Sequence, residues 1–517
     1  MSITTLGDIT RHHLAERPDQ VALTYTHDNR EWTFRDLDTE ACQCANALIA
    51  MGVDAQDRVA YLGKNTPEYF TYLFGTAKLN AVSVAVNWRL APPEMEYILN
   101  HSEAKTLLIG EEFLSHLVEM DLNLDHVIVL GDPGESGYLS YEQWLVKQPL
   151  QDPHFPADPG DICYQLYTSG TTGLPKGVET THSNLIDMMT GGLGPLGFSA
   201  ESVNLVCMPL FHISGSGWGV LGFHSGARSI LLRDVEMQEI LRVIPLYKIS
   251  HSIFVPAVLQ FLLAEPNIGQ IDFSSLETVI YGASPITEQV LVDAINTFKA
   301  NFFQVYGLTE TTGGVTMLHP VDHDPGGPRA YLLRSCGKAV DGHEIKIMNN
   351  GSECEESEVG EIWIRGPQIM AGYWRNDKAT EESIDTDGWF KSGDAGYLTD
   401  GYLYIHDRVK DMIISGGENI YPAEIENVLM KHEGVADAAV IGVPDDRWGE
   451  SVKAIVTRTD ESVTEQELYS FCRKNLAHYK CPKSIDWMEI IPRNPSGKIL
   501  KTELRKPYWQ GRDRNVS

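Results

Sequence analysis

The glycine-rich run at 167–177 has the residue types and spacing for phosphate chemistry. It reads Tyr-Thr-Ser-Gly-Thr-Thr-Gly-Leu-Pro-Lys-Gly, and its glycines let backbone N–H groups approach an anion closely. The donors of the run come from Thr168, Ser169, Gly170, Thr171, Thr172 and Lys176. Because the run follows the apolar, strand-like stretch 162–167, it should lie at the mouth of a sheet. We predict a phosphate-binding loop, with a plain glycine-rich surface turn as the alternative.

A second candidate site begins at Pro-Leu-Phe-His, residues 209–212. Small residues at 214–217, 219 and 222 predict free volume, and aromatic walls come from Phe211, Trp218 and Phe223. This composition favours a tunnel for an uncharged apolar tail, with His212 at its entrance. The alternatives are a glycine-rich helix packed closely on a sheet and an internally hydrogen-bonded histidine.

Two neighbouring strand ends predict a nucleotide site. One reads Tyr-Gly-Ala-Ser-Pro at 281–285, and the other reads Gln-Val-Tyr-Gly-Leu-Thr-Glu at 304–310. Small residues beside an aromatic ring and an amide suit adenine, and Glu310 is a hard oxygen ligand suited to Mg²⁺ beside phosphates. Asp394 follows a tight turn and suits a ribose diol, a task that Arg408 could share.

Two further glycine loops lie in the C-terminal part of the chain, Ser-Gly-Gly-Glu at 415–418 and Arg-Asn-Pro-Ser-Gly-Lys at 493–498. Gly497 beside Lys498 predicts a mobile loop that delivers the lysine ammonium to a distant anion. The alternative for Lys498 is a solvated surface lysine.

The composition narrows the class of protein. A chain of 517 residues is too long for one core, and a net charge of −30 argues against nucleic acid or an anionic membrane as the main partner. The eight cysteines lack metal-ligand spacing and predict reduced, buried thiols in a cytoplasmic protein. The N-terminal residues do not predict a signal peptide. The most apolar long window, 205–223, is too rich in Ser and Gly for a membrane span.

Strand and helix patterns alternate up to about residue 330, which predicts an α/β fold with mostly parallel sheets. Residues 7–53, at the start of this region, have apolar residues at helical spacing. Short strands at turn-rich spacing then predict a small β-rich subdomain. The C-terminal residues alternate on their own, so we predict a large N-terminal domain, 1–409, and a small mobile α+β domain, 410–517.

The ordered set of motifs resembles the acyl-adenylate-forming (AMP-binding) superfamily and, within it, the fatty acyl-CoA synthetases. The motifs cover nearly the whole chain, in the order 167–177, 211–212, 306–310, 392–394, 407–411, 415–426 and 494–498. The resemblance implies ATP, Mg²⁺ and coenzyme A. A carboxylate and ATP would give acyl-AMP and pyrophosphate. Rotation of the terminal domain would then let the CoA thiol attack the adenylate.

The resemblance also implies roles for particular residues. The β- and γ-phosphates would be held by 168–172 and Lys176, with Glu310 and Thr171 or Thr172 near Mg²⁺. The adenosine contacts would be Gly282, Ala283, Ser284, Gln304, Tyr306, Gly307, Asp394 and Arg408. The catalytic residues would be Lys498, Thr309, Glu310 and His212, with Lys498 bridging the carboxylate and the α-phosphate.

Further roles concern the terminal domain and the acyl group. The resemblance places the hinge at Lys410. Candidate CoA contacts are Ser415, Gly416, Gly417, Glu418, Arg447 and Lys480. The acyl pocket would be lined by Phe211, His212, Trp218, Gly307 and Gly314.

A small-molecule carboxylic acid is the expected partner, with a medium- or long-chain fatty acid as the first choice. An aryl or short specialised acid is the nearest rival. Two rival functions are an enzyme that passes its acyl group to a carrier protein and a non-catalytic nucleotide sensor. The sequence leaves a homodimer and peripheral membrane contact open.

Overall fold

The structure, a computed structural model, describes residues 2–168, 174–284, 286–408, 411–415, 418–445, 449–476, 478–493 and 498–510. The predicted site residues that fall outside these ranges are Ser169, Gly170, Thr171, Thr172, Lys410, Gly416, Gly417 and Arg447. The side chains of Arg408 and Glu418 also lie outside the described part of the structure.

Helices occur along the whole described chain. They are α1 (Leu6–Glu16), α2 (Phe34–Ala50), α3 (Pro67–Leu79), α4 (Pro92–His101), α5 (Tyr141–Leu145), α6 (His182–Asp187), α7 (Ile213–His224), α8 (Met237–Tyr247), α9 (Pro256–Leu263), α10 (Glu288–Phe298), α11 (Asp377–Ser383), α12 (Pro422–Leu429), α13 (Glu465–Asn475) and α14 (Lys501–Arg505). A π-helical turn, Met188–Gly192, directly follows α6.

The strands of the first half of the chain are β1 (Val21–Tyr25), β2 (Arg30–Thr33), β3 (Arg58–Leu62), β4 (Val82–Ala85), β5 (Thr106–Gly110), β6 (His126–Leu130), β7 (Leu139–Ser140), β8 (Ile162–Thr168), β9 (Lys176–Thr181), β10 (Val203–Val206), β11 (Arg228–Leu231) and β12 (His251–Phe254). The later strands are β13 (Thr278–Gly282), β14 (Asn301–Leu308), β15 (Gly313–Leu318), β16 (Lys338–Ala339), β17 (Glu344–Asn349), β18 (Ser352–Glu353), β19 (Gly360–Arg365), β20 (Gly372–Tyr373), β21 (Phe390–Thr399), β22 (Tyr402–Arg408), β23 (Ile413–Ser415), β24 (Glu418–Ile420), β25 (Val435–Asp445), β26 (Gly449–Arg458) and β27 (Ser484–Trp487).

Two large sheets have parallel centres, which confirms the α/β fold class. One has eight strands in the order β20-β9-β8-β4-β3-β5-β6-β7, and the other has nine in the order β16-β15-β14-β13-β12-β10-β11-β1-β2. In the nine-stranded sheet, β10 pairs in parallel with both β11 and β12, so the strand order reverses there. Ligands bind at such reversals, outside the carboxyl ends of the strands. The chain leaving β10 carries Phe211 and His212.

The remaining sheets are smaller. The strands β18-β17-β19-β21-β22 form an antiparallel sheet, as the β-rich pattern after residue 330 predicts. A fourth sheet, β24-β23-β26-β25 with β27 beside β26, lies in the C-terminal part with α12 and α13. The boundary predicted between residues 409 and 410 falls on residues outside the described ranges, and it stays a prediction.

The prediction of helical spacing over 7–53 was partly wrong. A β-hairpin, β1 and β2, separates α1 from α2. Its turn contains Asn29, whose φ of 61° lies in the left-handed region that Asn tolerates. The helix after it starts with a capping box in which Thr33 accepts a hydrogen bond from the Asp36 N–H.

A buried lysine ties the segment before β8 to the first helices. The Nζ of Lys78 lies 2.8 Å from Asp38 and 2.6 Å from Asp152, and the lysine side chain is fully buried. Arg11 of α1 lies 2.8 Å from the same Asp152. Because removing one partner would leave a buried charge uncompensated, this cluster fixes the chain that leads into β8.

All eight cysteines lie in the described residues and are free thiols. Seven are buried and Cys354 is half-buried. Burial raises the pKa of each thiol, for example to about 12 for Cys42, Cys207 and Cys336.

Within the described parts of the chain, no helix combines the length and the apolar character needed to cross a membrane.

Candidate active site

Two neighbouring strand ends form the predicted adenine site. β13 and β14 pair in parallel, with Gly282 opposite Val305. A Cβ on Gly282 would collide with the Val305 carbonyl oxygen, and one on Gly307 would collide with the Gly313 carbonyl oxygen. The next residue after Gly282, Ala283, has a φ of 65°, a left-handed conformation that is strained for alanine. The backbones at this edge of the sheet therefore approach too closely for a side chain at either glycine.

Tyr306 joins the adenine site to the carboxylate predicted for the ribose. Its hydroxyl donates a 2.8 Å hydrogen bond to Asp394 Oδ2, and both side chains are buried. Burial, followed by the Asp394 charge, raises the pKa of Tyr306 well above its ordinary value, so the hydroxyl remains a donor. The tight turn predicted before Asp394 is wrong, because Gly393, with a φ of 69°, lies inside β21 where the pairing with β19 is irregular. In the backbone register of β21 and β22, Asp394 is opposite Arg408.

Glu310 lies where the two large sheets meet. It follows β14 in the short helical turn Thr309–Thr311, and its Oε1 accepts a 3.0 Å hydrogen bond from the Tyr373 hydroxyl. The Thr168 hydroxyl, at the end of β8, donates to the same oxygen at 3.4 Å. The structure therefore brings the predicted metal ligand to the start of the predicted phosphate loop.

Tyr373 belongs to this site, although no motif in the sequence singles it out. Its ring lies 4.6 Å from the Nζ of Lys176, while its hydroxyl donates to Glu310. Burial, and then the Glu310 charge, raises its pKa, so the phenol stays protonated. Tyr373 is on β20, a two-residue strand paired with β9. One tyrosine thus positions both the lysine and the carboxylate.

The free volume predicted along α7 is wrong at three of its glycines. A Cβ on Gly215 would collide with the Pro209 carbonyl oxygen, one on Gly219 would lie 2.6 Å from Phe70, and one on Gly222 would lie 2.6 Å from Asn204 Nδ2. Glycine serves close packing at these positions, as the alternative predicted, but the nearest neighbour lies on a strand only at Gly222. Gly217 differs, because its nearest neighbours are side chains, Ile213 at 3.0 Å and Met188 at 3.4 Å.

The predicted acyl-pocket residues lie around α7 and β15. Trp218 is buried and donates a 3.0 Å hydrogen bond from Nε1 to the Leu205 carbonyl oxygen. Gly314 lies on β15 opposite Gly307, beside the π-helical turn. Phe211 is buried at the N-terminal end of α7. The use of these residues as an acyl pocket stays a prediction.

His212 carries an unsatisfied nitrogen beside Phe211. Its Nε2 is buried and has no hydrogen-bond partner among the described residues, so the alternative of an internally satisfied histidine does not hold for that atom. Burial, followed by the charge of Arg89, lowers the pKa of His212 to about 4. The imidazole is therefore neutral at physiological pH and retains one free hydrogen-bonding position.

The C-terminal residues include two of the predicted cations. Lys498 precedes α14. Burial alone would raise the pKa of Asp411, but the nearby cations, chiefly Arg505 at 2.7 Å and to a smaller extent Lys498, lower it. Lys480 is 2.7 Å from Glu424, so a CoA phosphate would have to compete with that carboxylate. Ser415 ends β23, where it pairs with Glu418 of β24.

Comparison with known proteins finds matches along nearly the whole chain. The AMP-binding enzyme family matches residues 10–374, and the C-terminal domain of AMP-binding enzymes matches residues 424–498. The chain is 38% identical to a fatty acid–[acyl-carrier-protein] ligase, ScoC, of Streptomyces coeruleorubidus, over 100% of this chain and 98% of that protein. It is 33% identical to a long-chain-fatty-acid–CoA ligase, FadD13, of Mycobacterium tuberculosis, over 97% of this chain and 98% of that protein.

Relatives with aromatic substrates in their names are similar as well. The chain is 35% identical to a feruloyl-CoA synthase of Amycolatopsis, over 94% of this chain and 96% of that protein. The crystal structure of an anthranilate CoA ligase, AuaEII, in complex with anthranoyl-AMP superposes with a TM-score of 0.88 and 28% identity. That superposition covers 98% of this chain and 97% of the other.

The chain therefore belongs to the AMP-binding enzyme family. Within the adenylate-forming superfamily it is an AMP-forming ligase. Its relatives are named for several kinds of acid, so they do not identify the acid that this enzyme activates.

Proposed function

We propose that this enzyme activates a carboxylic acid with ATP and transfers the acyl group to coenzyme A. The observation that carries the proposal is the junction of the two large sheets, where Thr168 and Tyr373 both donate to Glu310 and the Tyr373 ring faces Lys176. A cation, hydroxyl donors and one carboxylate on a glycine-rich edge suit a magnesium-bound polyphosphate. Tyr306 and Asp394 supply the nucleoside end.

The residues present fit Mg²⁺, which we propose to be held by Glu310 and the loop hydroxyl of Thr172. Among the described residues there is no cluster of three or more potential metal ligands. One carboxylate is sufficient, because Mg²⁺ takes most of its oxygen ligands from phosphates and water. When bound, the ion would neutralise phosphate charge as pyrophosphate leaves.

The proposed first step needs no nucleophilic side chain. An oxygen of the substrate carboxylate attacks the α-phosphorus of ATP, the bond to the bridging β-phosphate oxygen breaks, and pyrophosphate leaves. Lys498 would stabilise the negative charge that accumulates between the carboxylate and the α-phosphate. In the second step the CoA sulfur attacks the acyl carbon, the thiol proton is lost, and AMP leaves.

A medium- or long-chain fatty acid remains our first-choice substrate. It is supported by the buried apolar surroundings of Gly217, where Ile213 and Met188 are flexible side chains that can move aside. The fatty-acid ligases among the relatives also support it. An aryl acid is the second choice, supported by the feruloyl and anthranilate relatives.

A panel of straight-chain and aryl acids tests this choice. We expect kcat/KM to rise about threefold to fourfold per added methylene until the pocket is filled, since each buried methylene contributes about 0.8 kcal/mol. The measurement is ATP–pyrophosphate exchange at subsaturating acid. Benzoic and cinnamic acids serve as the matched aryl series, and strong activity confined to that series would contradict the fatty-acid proposal.

A carrier protein is a second candidate acceptor, because the relative at 38% identity is a carrier-protein ligase. One assay distinguishes CoA from a carrier protein as the acceptor. Acyl-AMP formed on the enzyme is offered CoA in one reaction and a phosphopantetheinylated carrier protein in another. Thioester formed only on the carrier would overturn CoA as the acceptor and leave the adenylation step intact.

We further propose that Lys410 is the hinge between the two half-reactions. Its replacement by proline would fix φ near −65° and remove an N–H, which should restrict rotation of the terminal domain. We expect Lys410→Pro to reduce thioester formation at least tenfold more than ATP–pyrophosphate exchange. Lys410→Ala is the control, because it removes the charge and keeps the backbone free. Equal losses in both half-reactions of the proline variant would count against domain rotation.

A cytoplasmic location and a homodimer stay predictions.

A further inference from the structure

A row of side chains crosses the base of the predicted phosphate loop. Arg58 Nε donates to the Gln165 side-chain oxygen at 3.2 Å, and Gln165 Nε2 donates to the Tyr167 hydroxyl oxygen at 3.1 Å. The Tyr167 hydroxyl lies 2.8 Å from Nδ1 of His101, the last residue of α4. Tyr167 and Thr168 are the final residues of β8, directly before the loop. The row therefore includes the residue directly before Thr168, whose hydroxyl contacts Glu310.

The opposite side of this row is closed by β9 and Trp374. A Cβ on Gly177 would lie 2.7 Å from Gln165 Nε2, so glycine lets β9 close over the row. The Trp374 indole donates to the His101 carbonyl oxygen at 3.0 Å, while its backbone N–H donates to the Gly177 carbonyl oxygen at 2.8 Å. Trp374 thereby links the end of α4 to the strand that leaves the loop.

Arg58, the charged residue at one end of the row, determines which atoms of Gln165 donate and which accept. Arg58 can only donate, so the oxygen of Gln165 must face it and the amide nitrogen must face Tyr167. The Tyr167 oxygen accepts that hydrogen bond, and its own proton points to His101. In this arrangement, which satisfies the Tyr167 proton, Nδ1 of His101 is the acceptor and the imidazole carries its proton on Nε2.

Protonation of His101 would disrupt this pattern of donors and acceptors. The protonated imidazole carries hydrogens on both nitrogens, so Nδ1 would meet the Tyr167 hydroxyl as a donor. The Tyr167 proton would lose its acceptor and would have to turn away. The hydroxyl cannot respond by ionising, because burial raises its pKa.

We propose that His101 and Tyr167 are positioning residues for the phosphate loop, and that protonation of His101 releases the base of the loop and weakens ATP binding. The inference rests on the proposed function of the loop. It assigns a pH-dependent part to two residues that are not among the predicted substrate or metal ligands.

The charged and titratable groups around His101 come from three directions. Tyr97 of α4 stacks on its ring at 5.2 Å, and Tyr167 faces it from β8. Glu103 favours the protonated form, but Arg375 neutralises it in an ion pair of 2.9 Å. The Arg58–Glu179 ion pair, at 2.7 Å, lies at the far end of the row. Burial is the larger influence and lowers the pKa of His101 below its ordinary value.

ATP binding should weaken as the pH falls. Above the folded-state pKa of His101, the imidazole accepts the Tyr167 hydrogen bond and the loop is held. As the pH falls through that pKa, which is depressed, the hydrogen bond is lost. The loss of ATP affinity should therefore appear on the acid side of the ordinary histidine pKa.

Three variants of the full-length enzyme test the proposal. In His101→Asn, the side-chain oxygen replaces Nδ1 as an acceptor that does not titrate. In Tyr167→Phe, the hydroxyl is missing. His126→Asn is the matched control, because His126 is a half-buried histidine far from the loop in sequence whose ring lies 3.2 Å from the Met51 carbonyl oxygen. Thermal unfolding of each variant at every pH separates local effects from loss of folding.

The measurements are the Kd for ATP, by calorimetry without the acid substrate, and the KM for ATP and kcat in pyrophosphate exchange, from pH 5 to 8. As His101 becomes protonated, we expect the wild-type enzyme and His126→Asn to lose about tenfold more ATP affinity than His101→Asn, as for the loss of one partly buried hydrogen bond. The comparison with His101→Asn removes the contribution of the terminal phosphate of ATP, which also protonates in this range. At pH 8, His101→Asn should retain wild-type affinity. Tyr167→Phe should bind ATP about tenfold more weakly at pH 8, with kcat changed less than KM.

Contrary results would separate the inference from the function on which it rests. An acid limb as steep in His101→Asn as in the wild-type enzyme, or a Tyr167→Phe enzyme with wild-type affinity and KM, would overturn the positioning role while the ligase function stands. A wild-type enzyme that binds no ATP at any pH would overturn the proposed function of the loop, and the inference with it.

Discussion

Replacing Lys498 by alanine is expected to slow acyl-adenylate formation by about 10²–10³-fold, with little change in the KM for ATP. The reason is electrostatic: a positioned cation acts on charge that develops in the transition state, and the loss of one such contact typically costs that factor. The substrate carboxylate and ATP are both anionic before they react, so the effect should be concentrated in kcat.

Pyrophosphate exchange and single-turnover thioester formation from preformed acyl-AMP together test this expectation. Lys506→Ala is the matched control, because Lys506 belongs to the same C-terminal segment, is 68% exposed and forms an ion pair with Glu503 three residues earlier. Thioester formation from preformed acyl-AMP should be almost unaffected in Lys498→Ala. An unchanged rate of adenylation would show that the mechanism proposed for Lys498 is wrong.

Replacing Asp394 by asparagine is expected to raise the KM for ATP by roughly 10–100-fold. A hydrogen bond to a charged group contributes about 1.5–3 kcal/mol, and asparagine offers the ribose diol one neutral oxygen in place of a carboxylate. The Tyr306 hydroxyl, which lies 2.8 Å from Asp394, can still donate to that oxygen, so the site should keep its shape.

Two further variants define what this measurement means. Tyr306→Phe keeps the carboxylate but removes its buried donor, and we expect a smaller loss of ATP affinity. Asp387→Asn, an exposed carboxylate in the turn before β21, should behave like the wild-type enzyme. If Asp394→Asn has the wild-type KM for ATP, Asp394 does not hold the ribose.

The strands of the two large sheets were predictable because they are short apolar runs rich in β-branched residues. Arg58–Leu62, in the eight-stranded sheet, and Gly360–Arg365, in the smaller antiparallel sheet, each form one uninterrupted strand. The hairpin at 21–33 was not predictable, because its short strands lie between two helices whose spacing dominates that part of the sequence. The periodicity of apolar residues identifies an element only where that element occupies the whole stretch of sequence over which the periodicity is judged.

The residues of the candidate site also divide into those that the sequence could predict and those that it could not. Motif residues such as Glu310, Asp394 and Tyr306 could be singled out because a neighbouring glycine or a strand end marks each of them. Tyr373 could not, because its role depends on a two-residue strand pairing with β9 almost 200 residues earlier in the chain. The glycines of α7 were misread for a physical reason: the absence of a Cβ allows either an open space or a close packing contact, and only the neighbours decide.

The buried thiols described above have a consequence for the reactive intermediate. An acyl-adenylate is a mixed anhydride, which any thiolate nearby would intercept, with loss of the acyl group to the protein itself. Sulfur attacks as the thiolate, and the raised pKa of all eight cysteines keeps them protonated at neutral pH. Protonated thiols are poor nucleophiles, so we expect the acceptor to supply the sulfur that attacks the adenylate.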